Sequence, residues 1–77
     1  MNLEQKIIEI VKSNLQEPEE VKLESHLIND LKLGSFDRLM IVNSVEDEFG
    51  ITIEDKDIDG LKTIKDICDI LRSNYRL

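Results

Sequence analysis

Hydrophobic residues in this chain recur mostly at steps of three and four, the spacing that places side chains on one face of an α-helix. The clearest run stands in the middle of the chain and comprises Phe36, Leu39, Val42, Val45 and Phe49. Ser35 precedes it, and a serine hydroxyl can accept a hydrogen bond from a free N–H group of the first turn. The pattern therefore predicts a central helix with Ser35 as its N-cap, which ends near Phe49 because Gly50 can adopt a left-handed cap.

The N-terminal part of the chain shows the same periodicity. Its apolar positions are Leu3, Ile7, Ile10, Val11 and Leu15. Asn2 can cap a helix that begins at Leu3, and Pro18 disfavours helix in the residue before it. We therefore expect a first helix from Leu3 to about Asn14.

A last helix is predicted near the C-terminus. Thr63 and Asp66 have the spacing of a capping box, with Asp in place of the usual Glu. The helix is expected to end near Asn74. Its apolar face is made of Ile64, Ile67, Cys68 and Leu71, with Ile70 beside them.

Residues 16–34 are predicted to form a long loop, with a short helical turn between Ser25 and Asn29. Loops of this length are uncommon in compact domains unless they are functional or packed down. This one is expected to pack through its apolar residues, which are Val21, Leu23, Leu27, Ile28, Leu31 and Leu33.

The segment after the central helix is predicted to be a connector followed by a short helix. The polarity of residues 51–53 alternates as in a β-strand, but no other segment is predicted to pair with them. We therefore expect them to form an extended connector. Residues 54–60 are acidic and are expected to form one or two helical turns that hold Ile58 inward. The fold class is therefore all-α: a small four-helix bundle of three longer helices and one short helix, with a long loop between the first and second helices. A chain of 77 residues fits one domain over residues 1–77.

Charge narrows the choice of partners. The formal net charge is −7, from 17 acidic and 10 basic residues. This balance argues against nucleic acid and against anionic membrane surfaces, since both require clustered Lys and Arg. It favours a monomeric protein that meets partners with basic docking patches. The single cysteine allows no intrachain disulfide, and no apolar run suggests a signal peptide or membrane span, so a cytoplasmic location is expected.

The residues around Ser35 resemble the acyl carrier protein family. They read Asp30-Leu31-Lys32-Leu33-Gly34-Ser35-Phe36-Asp37, and the likeness extends through residues 45–53 and 61–67. The resemblance implies that Ser35 carries a covalent 4′-phosphopantetheine arm, whose thiol holds acyl groups as thioesters. It implies a non-catalytic carrier for fatty acid, polyketide or related biosynthesis. Its partners would be a phosphopantetheinyl transferase of the holo-acyl carrier protein synthase type, and acyl-transfer and synthase enzymes with basic docking patches.

Three positions depart from the usual family motif. Lys32 replaces a glycine, Gly34 replaces the aspartate before the serine, and Phe36 replaces the leucine after it. That aspartate helps the modifying transferase to engage in the family. Related aminoacyl, peptidyl and D-alanyl carriers vary there, so an aminoacyl or D-alanyl carrier remains an alternative.

The resemblance also implies a docking surface on the central helix. Its partner-facing residues would be Asp37, Arg38, Leu39, Met40, Asn43, Glu46 and Asp47. The family prototype is more uniformly acidic along this helix. Arg38, Met40 and Asn43 dilute the charge and suggest a specialised set of partners.

A calcium-binding interaction protein is the main alternative of another class. Residues 55–66 imitate an EF-hand loop, with acidic side chains at the ligand positions Asp55, Asp57, Asp59 and Asp66. Lys62 stands where such loops need an apolar residue, and position twelve is Asp instead of the bidentate Glu. The default interpretation is a solvated acidic segment without a metal site.

An enzyme is the weakest interpretation. A nucleophilic Ser35 needs a base, and His26 is the single histidine, with nothing that fixes a triad. We expect His26 to pack or cap within the loop. Cys68 lies on an apolar helix face and is expected to be a buried, unreactive thiol.

Overall fold

The computed structural model describes residues 2–77, and this part of the chain forms four helices and no strand. They are α1 (Leu3–Ser13), α2 (Ser35–Phe49), α3 (Asp55–Ile58) and α4 (Ile64–Tyr75). The predicted all-α, four-helix architecture is confirmed, including the long loop between α1 and α2. The three longer helices begin and end within one residue of the predicted limits.

Local capping signals explain why these limits could be predicted. Asn2 Oδ1 accepts a hydrogen bond from Gln5 N at 2.8 Å at the start of α1. Thr63 Oγ1 accepts from Asp66 N at 3.0 Å, and Asp66 Oδ2 accepts from Thr63 N at 3.1 Å, which completes the capping box of α4. Gly50 ends α2 with a left-handed φ of 64°, a conformation that glycine adopts without strain.

The core is built on α1 and α4. The four predicted residues of the α4 face are buried, and they pack with Ile7 and Val11 of α1. An ion pair ties the same two helices at the surface, because Arg72 Nη2 donates to Glu4 Oε1 at 2.9 Å. The hydrogen bond from Arg72 lowers the pKa of the Glu4 carboxyl. These contacts join the first and last helices of the chain directly.

The long loop is held to α4 and to the residues just before it by backbone bonds and apolar side chains. Leu27 N donates to Lys62 O at 2.8 Å, and Lys65 N donates to Leu23 O at 2.9 Å. Four of the six apolar loop residues are buried as expected, but two are exposed, namely Leu23 and Ile28.

The helical turn predicted at residues 25–29 is a hydrogen-bonded turn at residues 26–31 and not an α-helix. Asp30 N and Leu31 N both donate to His26 O, so the regular helical bonding pattern is not continued. Lys32 then adopts a left-handed φ of 57°, which turns the chain away.

The N-cap of α2 is Gly34, so the prediction that Ser35 caps the helix is wrong. Gly34 O accepts the first helical bond, from Arg38 N at 3.1 Å, and Ser35 is the first helical residue. The reason is Asp37, whose Oδ2 accepts from Gly34 N at 3.2 Å and closes the start of the helix from its third position. The start of α2 is capped by the Asp37 side chain, which supplies one of the two bonds of a capping box, and Ser35 is not the N-cap residue.

The predicted apolar face of α2 is also only partly correct. Val42 and Val45 are buried and Phe49 is half-buried, but Phe36 and Leu39 are exposed. Successive residues of an α-helix are separated by about 100° around its axis. Residues three apart are therefore about 60° short of a full turn, and the shortfall adds up with each further step of three. Three such steps place Phe36 on the side opposite Val45. Ile41, which the spacing did not single out, completes the buried side.

Lys32→Gly is expected to stabilise the protein. A residue with a side chain at positive φ costs about 1–2 kcal/mol, and glycine's extra freedom in the unfolded chain offsets part of that gain. We expect the free energy of unfolding to rise by about 0.5–1 kcal/mol in urea denaturation. Lys62→Gly is the matched control: it removes the same charge at a position without positive φ and should destabilise the protein. A loss of stability in Lys32→Gly would contradict the strain argument.

Candidate functional site

Ser35 lies exposed at the N-terminal end of α2. The chain that leads to it is anchored by two buried side chains, those of Leu31 and Leu33. Leu33 N also donates to Leu27 O at 3.0 Å, which ties the approach to the long loop. The chain is therefore anchored just before Ser35, while Ser35 itself is exposed.

The start of α2 suits a phosphate ester. The N–H groups of a first helical turn have no partner within the helix, and the helix dipole is positive there. Gly34 has no side chain and makes no side-chain cap bond, so these groups are not occupied by the N-cap residue. A phosphodiester on Ser35 Oγ could accept from them. The residues present therefore fit the linkage by which a phosphopantetheine arm would be attached.

Two spaces lie near this position, and neither is a closed binding pocket. An open groove of about 280 Å³ runs beside the start of α2, and its walls include Glu17, Glu19 and Asp37. Inside the bundle, a gap of about 10 Å³ lies between Leu27, Val42 and Ile67. By the same measure a cavity needs about 10–15 Å³ to hold a single water, so an acyl chain could enter this gap only if the surrounding helices moved apart.

The predicted docking residues fall into two groups. Leu39, Met40, Asn43 and Asp47 are exposed on α2. Asp37, Arg38 and Glu46 are half-buried. Asp37 closes the helix start, Glu46 Oε2 accepts from Ile53 N at 2.8 Å, and Arg38 borders the internal gap. Asp37 and Glu46 therefore bind backbone N–H groups of the fold itself.

The docking prediction omitted Phe36, although 73% of its surface is accessible. It directly follows Ser35. The sequence contained a signal for this exposure. Positions spaced by three residues shift by about 60° per step around an α-helix, so Phe36 lies on the same side as Met40 and Asn43.

The calcium-loop alternative does not match the structure. Residues 55–58 form α3 instead of a coordinating loop. The Asp66 carboxylate is engaged in the α4 capping box, and Asp57 accepts from Tyr75 Oη at 2.7 Å. Within residues 2–77, no three His, Cys, Asp or Glu side chains are grouped closely enough to hold a metal ion.

The contacts of His26 and the burial of Cys68 indicate that both residues have structural roles. His26 Nδ1 accepts from Ile28 N and Asn29 N, each at 3.1 Å, so it caps the loop turn as predicted. Cys68 is buried, with 1% of its surface accessible, and burial raises its thiol pKa to about 11. Over the residues that the structure covers, no helix is both long and apolar enough to span a membrane.

An exposed serine at a helix start, on a small acidic four-helix bundle, is the arrangement expected of a carrier-type domain. Comparison with known proteins agrees: the family model for the phosphopantetheine attachment site matches residues 5–71. The acyl carrier protein of Coprothermobacter proteolyticus is 45% identical over 58 residues, which cover 75% of this chain and 71% of that protein. A solved structure described as an acyl carrier protein of Mycobacterium tuberculosis superposes with a TM-score of 0.81 at 25% identity. It covers 88% of this chain and 92% of that one.

The chain belongs to the acyl carrier protein family. It is a phosphopantetheine-bearing acyl carrier, as the resemblance implied. Both relatives are described as acyl carrier proteins, and neither comparison favours the aminoacyl, D-alanyl or calcium-binding alternative.

Proposed function

We propose that Ser35 Oγ is the point of attachment of the 4′-phosphopantetheine arm. The observation that carries this proposal is the exposure of Ser35 at an N-terminus whose cap residue makes no side-chain bond. In the loading step, the Ser35 oxygen forms a new ester bond to the phosphorus that bears the pantetheine in coenzyme A. The bond from that phosphorus to the bridging oxygen breaks, so adenosine 3′,5′-bisphosphate leaves, and the hydroxyl proton passes to a base of the transferase.

The chain itself supplies a hydroxyl and a docking surface, and we propose that it catalyses no reaction. When attached, the arm supplies a thiol that forms thioesters with acyl groups. A tether of this kind gives the acyl group an effective concentration on the order of millimolar at a docked enzyme. We propose that the partners are a phosphopantetheinyl transferase and the acyl-transfer and synthase enzymes of fatty acid, polyketide or related pathways. The carrier would act as a single domain, as a monomer, in the cytoplasm.

The predicted docking residues on α2 belong to this proposal. Enzymes that act on Ser35 or on the arm would approach α2, whose exposed side chains include Leu39, Met40, Asn43 and Asp47. Asp37, Arg38 and Glu46 would contribute at the border of that surface.

Ser35→Ala is expected to abolish loading. Apo protein is incubated with coenzyme A and a broadly accepting phosphopantetheinyl transferase, and its intact mass is measured. The wild type should gain one phosphopantetheinyl group and Ser35→Ala should gain none, because no ester can form without the hydroxyl.

The control is Ser73→Ala, which removes an exposed serine from α4 and should load like the wild type. Circular dichroism of both variants should match that of the wild type, since both side chains are exposed. Loading that persists in Ser35→Ala, or a wild type that never loads, would refute the assignment.

A further inference from the structure

The open groove beside the start of α2 lies next to Ser35. Its lining consists of residues 14–17 and Glu19, at and after the end of α1, together with residues 31–33 and Asp37. Leu33 and Asp37 are each two residues from Ser35. Two residues span at most about 7 Å of chain, so Ser35 lies at the rim of the groove. This groove is called the arm groove below.

The size of the arm groove suits a narrow, flexible chain. Its volume of about 280 Å³ is close to the lower end, about 300 Å³, of the volumes that hold small molecules in proteins. Leu31 and Leu33 in its lining are buried core residues, which keeps that side of the groove in place. The gap inside the bundle is only about 10 Å³. An arm could therefore enter the arm groove, but not the gap, without any movement of the helices.

The positive charge of the arm groove is placed for a phosphodiester. A phosphopantetheine arm begins with this anionic group and continues through a hydroxyl and two amides to a thiol. Lys32 is the one cation among the described residues of the lining, and it stands three residues before Ser35. Its ammonium group takes part in none of the ion pairs seen in residues 2–77. Lys32 is therefore available to bind the phosphodiester as a point charge.

Carboxylates of the arm groove supply acceptors for the rest of the arm. Glu17 and Glu19 are exposed in the lining, and their oxygens can accept hydrogen bonds from the two amide N–H groups. Hydrogen bonds to an ionised acceptor are shorter and stronger than those between neutral groups. The same charges repel an acyl group that carries a carboxylate. The arm groove therefore suits the neutral pantetheine chain better than an anionic cargo.

We propose that the arm groove holds the attached arm when its thiol carries no acyl group, with Lys32 at the phosphodiester and Glu17 and Glu19 at the amides. This inference rests on the proposed function, because it requires an arm whose one end is fixed on Ser35 at the rim. Such a tether keeps the arm at an effective concentration on the order of millimolar, so contacts of millimolar affinity are enough to hold it. Because the arm groove is open to solvent, a docked enzyme can draw the arm out.

Nuclear magnetic resonance of the loaded protein tests these contacts directly. Isotope-labelled apo protein is loaded from unlabelled coenzyme A, so that filtered nuclear Overhauser effects report only contacts between the arm and the protein. The two methyl groups of the arm are expected to show such effects to the methyl groups of Leu15, which lines the groove. Loading should also shift the amide signals of Gln16 and Glu19 more than those of α4.

Two variants change the arm groove, and each has a matched control. Gln16→Trp fills the groove with an indole ring and should abolish the effects at Leu15, whereas Ser73→Trp adds the same ring at an exposed position of α4 and should keep them. Lys32→Met should move the phosphorus signal of the arm toward that of free phosphopantetheine, and Lys62→Met, at an exposed position outside the groove, should not. All four variants should gain the arm by intact mass, because the attachment hydroxyl is unchanged.

Contacts at Leu15 that are absent from the loaded wild type, or that persist in Gln16→Trp, would overturn this inference. Amide shifts confined to residues 33–38, or found at Ile58 and Leu61 beside the internal gap, would do the same. In each of these cases the wild type still gains its arm on Ser35, and the proposed function stands. A wild type that gains no arm would overturn the proposed function and this inference together.

Discussion

Leu71→Ala should lower the free energy of unfolding by about 2–5 kcal/mol. Leu71 has no accessible surface and lies on the face of α4 that packs in the core with Ile7 and Val11 of α1. Truncation removes buried methyl groups and leaves a cavity that the neighbouring helices can fill only in part. A domain of this length has a total stability of about 4–12 kcal/mol, so the variant loses a large share of it.

Urea denaturation followed by circular dichroism measures the change. Leu39→Ala is the matched control, because it makes the same truncation at a side chain that is 52% exposed, and it should change stability by less than about 0.5 kcal/mol. Equal losses in the two variants would mean that α4 does not form the core as described.

The helix limits could be predicted because their signals are local. The capping box of Thr63 and Asp66, the Asn2 cap and the left-handed Gly50 each depend on residues within one turn. The side of α2 that faces the core could not be predicted in the same way. It depends on where the long loop, α1 and α4 come together, and a stripe of three-residue steps rotates too quickly to specify it.

The candidate site likewise combines features set by local sequence with features set by long-range packing. The exposure of Ser35 followed from its place between a polar loop and a helix. The transfer of the capping role to Gly34 and Asp37 did not, although glycine is accepted at an N-cap and Asp37 stands at the right spacing. The bond between Glu46 and Ile53 N was beyond prediction, since the turn at Gly50 must fold back before the two meet.

Cys68 should be nearly unreactive in the folded protein. Burial raises its pKa from about 9 to about 11, and the thiolate is the form that reacts. At pH 8 the folded protein then holds about a hundredth of the thiolate found in the unfolded chain, and burial further restricts access. A disulfide reagent with an absorbing leaving group is expected to label native apo protein at least about 100-fold more slowly than protein in denaturant.

The same shift predicts a loss of stability at high pH. Between pH 9 and 11 the folded state keeps the Cys68 proton and the unfolded state releases it, so the unfolded state binds fewer protons and stability falls as pH rises. The contribution is fully present below about pH 9 and amounts to at most about 3 kcal/mol. Cys68→Ala isolates it: the stability difference between wild type and variant should shrink over this range. A pH-independent difference would contradict the argument.

Because Cys68 should be nearly unreactive in the folded protein, the thiols that react rapidly report how many chains carry the arm. Loaded protein should show one rapidly reacting thiol per chain, which belongs to the arm on Ser35, and a second only after unfolding. Unloaded wild type and Ser35→Ala treated with transferase should show none in the native state, while Cys68→Ala should keep the rapid thiol and lose the slow one. Because each variant removes a different thiol, this pattern separates the chemistry of the arm from that of the protein. Rapid labelling of native Ser35→Ala would show that Cys68 is accessible and would contradict the buried position described for it.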